Sequence, residues 1–183
     1  IAAAAQAGVA PLALIALGQE AEGASRLEQL ANDKDAGSLE QRAVYLSQAG
    51  NAWLLAKMPD AAILTLTNAM KLRPTDGELR NDRARAYVML GRWEQAGNDL
   101  DVAIEYSAGD AEALRLRAYS LYKMDRLLDA WDDVEKALRQ SPQDTQTALL
   151  RGDIREAMRK KGLVDPVTKS EPPSSVSPKV VGR

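Results

Sequence analysis

The chemistry open to this chain is bounded first by what it lacks. Its 183 residues include no His and no Cys. The commonest general base, the commonest metal ligand and every thiolate or disulfide site are therefore missing. Ser and Thr hydroxyls have no imidazole to activate them, and no Gly-rich loop is present to cradle a phosphate. Neighbouring carboxylates occur at Asp99 and Asp101 and at Asp132 and Asp133. They lack the ligand spacing of a calcium loop, so surface charge is the better reading. The basic run Arg159-Lys160-Lys161 is too short for nucleic acid, and a net charge of −2 points to no polyanionic partner. One charge pattern does stand out. Arg83 and Arg117 are each followed sixteen residues later by an Asp, Asp99 and Asp133, and the two sets lie 34 residues apart. One interval earlier the same positions are Ala49 and Thr65, so both charges vanish together. The pattern predicts a guanidinium–carboxylate pair between two helices. Arg151 continues the Arg column without an Asp and must find another partner or water.

The same interval governs the elements that would position these groups. Small residues recur at it as Gly50, Ala84 and Ala118, as Ala62, Ala96 and Ala130, and as Ala69, Ala103 and Ala137. Large ones recur as Trp53, Tyr87 and Leu121 and as Leu66, Leu100 and Val134. Hydrophobic residues are 45% of the chain but aromatics only 4%, so the core must be built mainly from Ala and Leu, which suits close-packed helices. Each unit shows helical periodicity twice with a break between. A lone helical hairpin leaves its apolar face open, and stacked copies bury it.

Punctuation residues set the expected boundaries. Ser38 with Gln41 starts a helix to about Lys57, Pro59 opens the next, and Pro74 closes the unit. Thr75 or Asp76 caps the following helix and Gly91 stops it. Its partner runs from Trp93 to Tyr106, Gly109-Asp110 separates the units, and the third pair falls near 111–124 and 126–140. Trp93 and Trp131 are expected to pack between neighbouring units in preference to forming an exposed hot spot. Ahead of the units, Pro11 starts a helix through Leu17 with Gly23 as its stop, and Ser25 caps a second one ending near Asn32. After them, Gly152 continues the small-residue column in one more helix ending at Arg159, Lys160, Lys161 and Gly162. The Pro-rich stretch from Leu163 to Arg183 is expected to be a flexible tail, with a docking peptide as the lesser alternative. Ile1 marks the chain as a fragment or a processed form. Ala5-Gln6-Ala7 has the small-x-small pattern that ends a secretory signal, yet an Ala-rich helix is the favoured reading of this segment. Cys absence fits either a bacterial cytoplasm or periplasm, and the small-x-small pattern tips the choice to the periplasm.

At these residues the chain resembles the tetratricopeptide repeat family, whose 34-residue helix-turn-helix unit takes a bulky residue, a small one, an aromatic, two Ala and a closing Pro. Leu46, Gly50, Trp53, Ala62, Leu66, Ala69 and Pro74 fill the pattern first. Ala84, Tyr87, Gly91, Ala96, Leu100 and Ala103 fill it next, with Arg80 and Ala108 as departures. Leu114, Ala118, Leu121, Ala130, Val134, Ala137 and Pro142 fill it again. The expected fold is all-α, a right-handed α-solenoid of three such repeats with N- and C-terminal capping helices. Residues 1–42 would cap the array, 43–76, 77–110 and 111–144 form the repeats, 145–162 cap the far end, and 163–183 form the tail.

The resemblance implies a concave face lined by the first helix of each repeat, made from Ser47, Asn51, Asn81, Arg85, Arg115, Tyr119, Tyr122 and Lys123. Amides there suit a peptide backbone, Arg suits a carboxylate, and Tyr adds rigid apolar contact. Some family members grip the carboxy terminus of heat-shock chaperones with fixed Lys, Asn and Arg residues. Carried over position by position, only Asn51 matches. Ser47, Asp82, Glu112 and Leu116 stand where the other four should be, so that particular grip is not expected. The expected function is a non-enzymatic adaptor or scaffold binding another protein or peptide in this groove, without cofactor, metal, nucleic acid or small-molecule substrate. The alternative is a structural subunit that self-associates through its ends or convex face.

Overall fold

The computed structural model describes residues 10–33, 37–106 and 110–163. These form helices α1 (Pro11–Ala16), α2 (Glu20–Asn32), α3 (Leu39–Leu55), α4 (Pro59–Leu72), α5 (Gly77–Met89), α6 (Trp93–Tyr106), α7 (Ala111–Lys123), α8 (Leu127–Gln140) and α9 (Thr145–Lys160), with no strand among the described residues. The Ala5-Gln6-Ala7 pattern and, past Leu163, the expected tail lie outside the described residues. No helix among those described is long and apolar enough to cross a membrane.

The 34-residue cadence is written into the backbone as well as the side chains. Asp76 and Asp110 cap the first helices of two pairs and Asp144 caps α9, their carboxylates accepting from backbone N–H groups two or three residues on. Between paired helices the chain turns through a left-handed residue, Lys57 (φ 58°), Gly91 (φ 68°) and Asp125 (φ 65°). In each turn the same six-residue bond closes the helix end: Met58 to Trp53, Arg92 to Tyr87 and Arg126 to Leu121, all N···O 2.9 Å. This is a Schellman-type end, which satisfies carbonyls the helix would otherwise orphan.

Packing follows the two columns. Ala62, Ala96, Ala130, Leu66, Leu100 and Val134 are wholly buried on the second helices, against Ala84 and Ala118 on the first. Each buried Leu contributes roughly 1.5–3 kcal/mol through the apolar area it removes from water. The closest approach is at Gly50, where an added Cβ would lie 2.5 Å from Leu66. Successive first helices (α3 and α5, α5 and α7, α7 and α9) also touch one another, which the second helices α4, α6 and α8 do not do to the same degree. The stack therefore bends toward its first helices, leaving them on the inner side.

The N-terminal punctuation differs from expectation. Gly18 (φ 79°), not Gly23, makes the turn after α1, and Ser25 lies inside α2 without capping anything. Gly23 serves packing: a Cβ there would stand 2.5 Å from Ile15 and 2.8 Å from the Pro11 carbonyl, so its bareness lets α1 cross α2. Arg42 ties α2 to α3, its Nε donating to the Ala31 carbonyl at 2.6 Å. At the other end α9 lies on α8 with no second helix of its own among the described residues. Arg151 finds Glu135 at 3.6 Å, and Arg155 lies 5.1 Å over the ring of Trp131, which is only 2% exposed.

The sixteen-residue Arg–Asp pattern is a pair of helix staples. Arg83 donates from Nε and Nη2 to Asp99, both at 2.7 Å, and from Nη1 to Thr67 of the preceding hairpin at 3.0 Å. Arg117 repeats this on Asp133 at 2.7 and 2.8 Å and reaches Asp101 at 2.7 Å. Each guanidinium so joins its own two helices and the hairpin before it. In both, the carboxylate bonds raise the arginine pKa further above its ordinary value, against the opposing effect of burial. Where the first hairpin has Ala49 and Thr65, the polar role passes to Glu28 of α2, which accepts from Trp53 Nε1 at 3.0 Å and contacts the Thr65 hydroxyl.

Candidate functional site

Residues four apart lie on one side of a helix. Ser47 and Asn51 so share a face of α3, Asn81 and Arg85 a face of α5, and Arg115, Tyr119 and Lys123 a face of α7, with Tyr122 three residues after Tyr119. Lys123 is exposed and the others are partly buried.

Contacts in the structure gather most of these residues into two groups. The first belongs to a line of alternating polar and charged groups running across the helices. Asn51 Nδ2 donates to Asp82 Oδ2 at 2.8 Å, bridging α3 and α5. Arg85 lies 3.3 Å from Asp82 and 3.7 Å from Glu112 across the gap to α7. Arg115 lies 3.9 Å from the same Glu112 oxygen and 3.7 Å from Asp144, the cap of α9. Both arginines therefore already face carboxylates of their own chain. Partly exposed pairs at these distances add little to stability, about 0–1 kcal/mol each, but they hold the guanidiniums in place. Asp82 differs from its neighbours. Burial pushes its carboxyl above the usual aspartate range, opposed by the Asn51 hydrogen bond and the Arg85 charge. Asp144 moves the other way, lowered chiefly by the Thr147 hydroxyl that donates to it.

A depression of ≈ 400 Å³ opens between α5 and α7, lined by Glu78, Asn81, Asp82, Ala103, Asp110, Glu112 and Ala113. Asn81 is one of its lining residues, and the Oδ1 atom of that side chain is buried and accepts no hydrogen bond. The second group is aromatic. Tyr119 meets Trp93 edge-on at 5.6 Å (interplanar angle 84°), and Lys123 Nζ sits 5.2 Å from the Tyr119 ring centre and 5.6 Å from that of Tyr122. Ser47 belongs to neither group; it is partly buried, four residues before Asn51.

Sequence reasoning passed over two features here. Asp82 and Glu112 read as misfits to a chaperone grip, and their places three residues before Arg85 and Arg115 carry the signal of helical ion pairs. Leu55 and Met89, one interval apart near the ends of α3 and α5 and four residues after Asn51 and Arg85, are large apolar residues left 58% and 43% exposed. They add an apolar rail along the same side.

A larger cavity, ≈ 530 Å³, opens on the second-helix side, with Arg117 and Asp133 in its wall. Among its other charges, Arg126 pairs with Asp129 at 2.7 Å and Lys136 with Asp132 at 3.2 Å.

A family model described as the tetratricopeptide repeat matches residues 54–119. Sperm-associated antigen 1 of Rattus norvegicus is 32% identical over 83 residues, 45% of this chain and 9% of that protein. RNA polymerase II-associated protein 3 of Mus musculus is 29% identical over 121 residues, 66% of this chain and 18% of that protein. The chain thus spans less than a fifth of the length of either relative. Among solved structures, the first tetratricopeptide domain of Spaghetti (RPAP3), bound to the HSP90 peptide SRMEEVD, superposes with a TM-score of 0.63 at 25% identity, covering 65% of this chain and 94% of that one. MamA superposes with a TM-score of 0.71 at 20% identity over 85% of this chain and 86% of its own, a likeness of fold.

Proposed function

Because this chain is a tetratricopeptide-repeat protein, we propose that it acts as a non-enzymatic adaptor, binding another protein through a peptide laid along its first-helix side. The observation that carries this reading is the run of polar and aromatic groups across α3, α5 and α7, bordered by the exposed Leu55 and Met89 and covered by no element among the described residues. Rigid aromatic side chains and oriented amides are the groups that hold an extended peptide at low entropic cost. A structural neighbour holds an HSP90 peptide, which supports the mode of binding. Asp82 and Glu112 stand where the resemblance puts two of the residues that grip an acidic chaperone tail, so the proposed ligand is of another kind.

Affinity capture tests this reading. The chain carrying Asn51→Ala, Tyr119→Ala and Tyr122→Ala should lose a partner that the unaltered chain retains, with helicity unchanged by circular dichroism. Equal capture by both would remove this face as the site.

A further inference from the structure

The charges on the first-helix side are unequal, and the inequality bears on the partner. Glu78, Asp82, Asp110 and Glu112 surround the depression between α5 and α7. The guanidinium nearest them, Arg85, is shared by Asp82 and Glu112, and Arg115 is shared by Glu112 and Asp144. Asp110 is a helix cap, and Glu78 and Glu112 sit in first turns where the helix dipole favours an acid. Asp82 has no such reason. It is the sixth residue of α5, and burial works against its charge. Beside it the buried Asn81 Oδ1 lacks a donor. Asp82 already accepts from Asn51 and Arg85, so what the depression leaves uncompensated is charge: four carboxylates line it, against two guanidiniums shared among them and Asp144. Among the described residues no three acidic groups converge to hold a metal ion. A ligand bringing positive charge would balance that excess.

We propose that this face selects an extended peptide whose Lys or Arg enters the depression beside Asp82 and Glu112 while a large apolar side chain lies on Leu55 and Met89. This deepens the peptide-binding reading above and rests on it. The spacing follows from the helix. Seven residues separate Asp82 from Met89, about 10 Å at 1.5 Å per residue. An extended chain covers that distance in about three residues at roughly 3.3 Å each. The recognised segment therefore carries its basic and apolar residues about three positions apart.

A random octapeptide display library panned on the full chain tests this. The expected result is enrichment of Lys or Arg three positions from Leu, Ile, Met or an aromatic. In fluorescence anisotropy the leading peptide should bind roughly tenfold more weakly to Asp82→Asn and to Glu112→Gln, and replacing its basic residue by Gln should give the same loss without adding to it. Two neutral isosteres are used so that the result does not hang on one variant, with circular dichroism confirming the fold of each. Enrichment of acidic peptides whose binding still needs Tyr119 and Tyr122 would overturn the charge assignment and leave the groove standing. A library yielding no enriched peptide, or peptides indifferent to Tyr119→Ala, Tyr122→Ala and both acid substitutions, would overturn the groove reading along with it.

Discussion

Asp82 gives the residue scale its clearest test. A carboxyl whose pKa is higher in the folded than in the unfolded chain holds its proton more tightly when folded. It favours folding while protonated, and that contribution is lost as pH rises through the folded value. Burial raises Asp82, with Asn51, Arg85 and Glu112 the groups that face it. Asp82→Asn should therefore raise Tm at neutral pH, and the gap should close as the pH falls to about 3, where the native carboxyl is itself protonated. A gap that stays constant on acidification would contradict burial as the cause. Gly50 gives a second test. Ala is favoured over Gly within a helix by about 1 kcal/mol, yet a Cβ at 50 would stand 2.5 Å from the fully buried Leu66. Overpacking of this kind costs about 1–3 kcal/mol. Gly50→Ala should lower stability in urea by up to about 2 kcal/mol, and adding Leu66→Val should restore part of it, as the Ala118 and Val134 pairing does in the third hairpin. A stability gain from Gly50→Ala alone would show that Leu66 yields freely.

At the scale of the element, the Arg–Asp staples bind each helix to its hairpin and to the one before. Asp133 is 2% exposed and takes two bonds from Arg117. Asp133→Ala would remove two of the three carboxylate bonds of Arg117 and leave it with Asp101 alone, which should cost about 1.5–3 kcal/mol. Asp132→Ala, one residue away and exposed, should cost under about 0.5 kcal/mol. Equal effects in chemical denaturation would show that the staple carries no weight. This staple was legible in the sequence because two copies and a joint absence in the first unit made the pairing specific. Pro59, Asp76 and Gly91 were legible for a similar reason, since each has one local conformational use. Gly23 was not. A glycine that ends a helix and a glycine that admits a crossing helix look alike until Ile15 and Pro11 are placed beside it. Glu28 was hidden likewise, because it answers Trp53 and Thr65 from a helix outside the repeating register.

Across the whole molecule, a periodic interior and a non-periodic inner surface divide the work. The buried columns repeat at 34 residues because each hairpin must fit its neighbour. The inner side departs from that regularity: Ser47, Asn81 and Arg115 occupy one register position and Asn51, Arg85 and Tyr119 another. This is why the sequence disclosed the architecture more fully than the ligand. Fold requires the same residue type in every copy, whereas recognition requires different ones, and a difference carries no internal check. The most direct measurement of the central claim is an NMR titration of the isotope-labelled chain with the leading library peptide. Amide shifts confined to α3, α5 and α7, largest around Asn51, Asp82, Glu112 and Tyr119, are the predicted result. Shifts centred on α4, α6 and α8 would contradict it, moving the binding surface to the outer side of the stack.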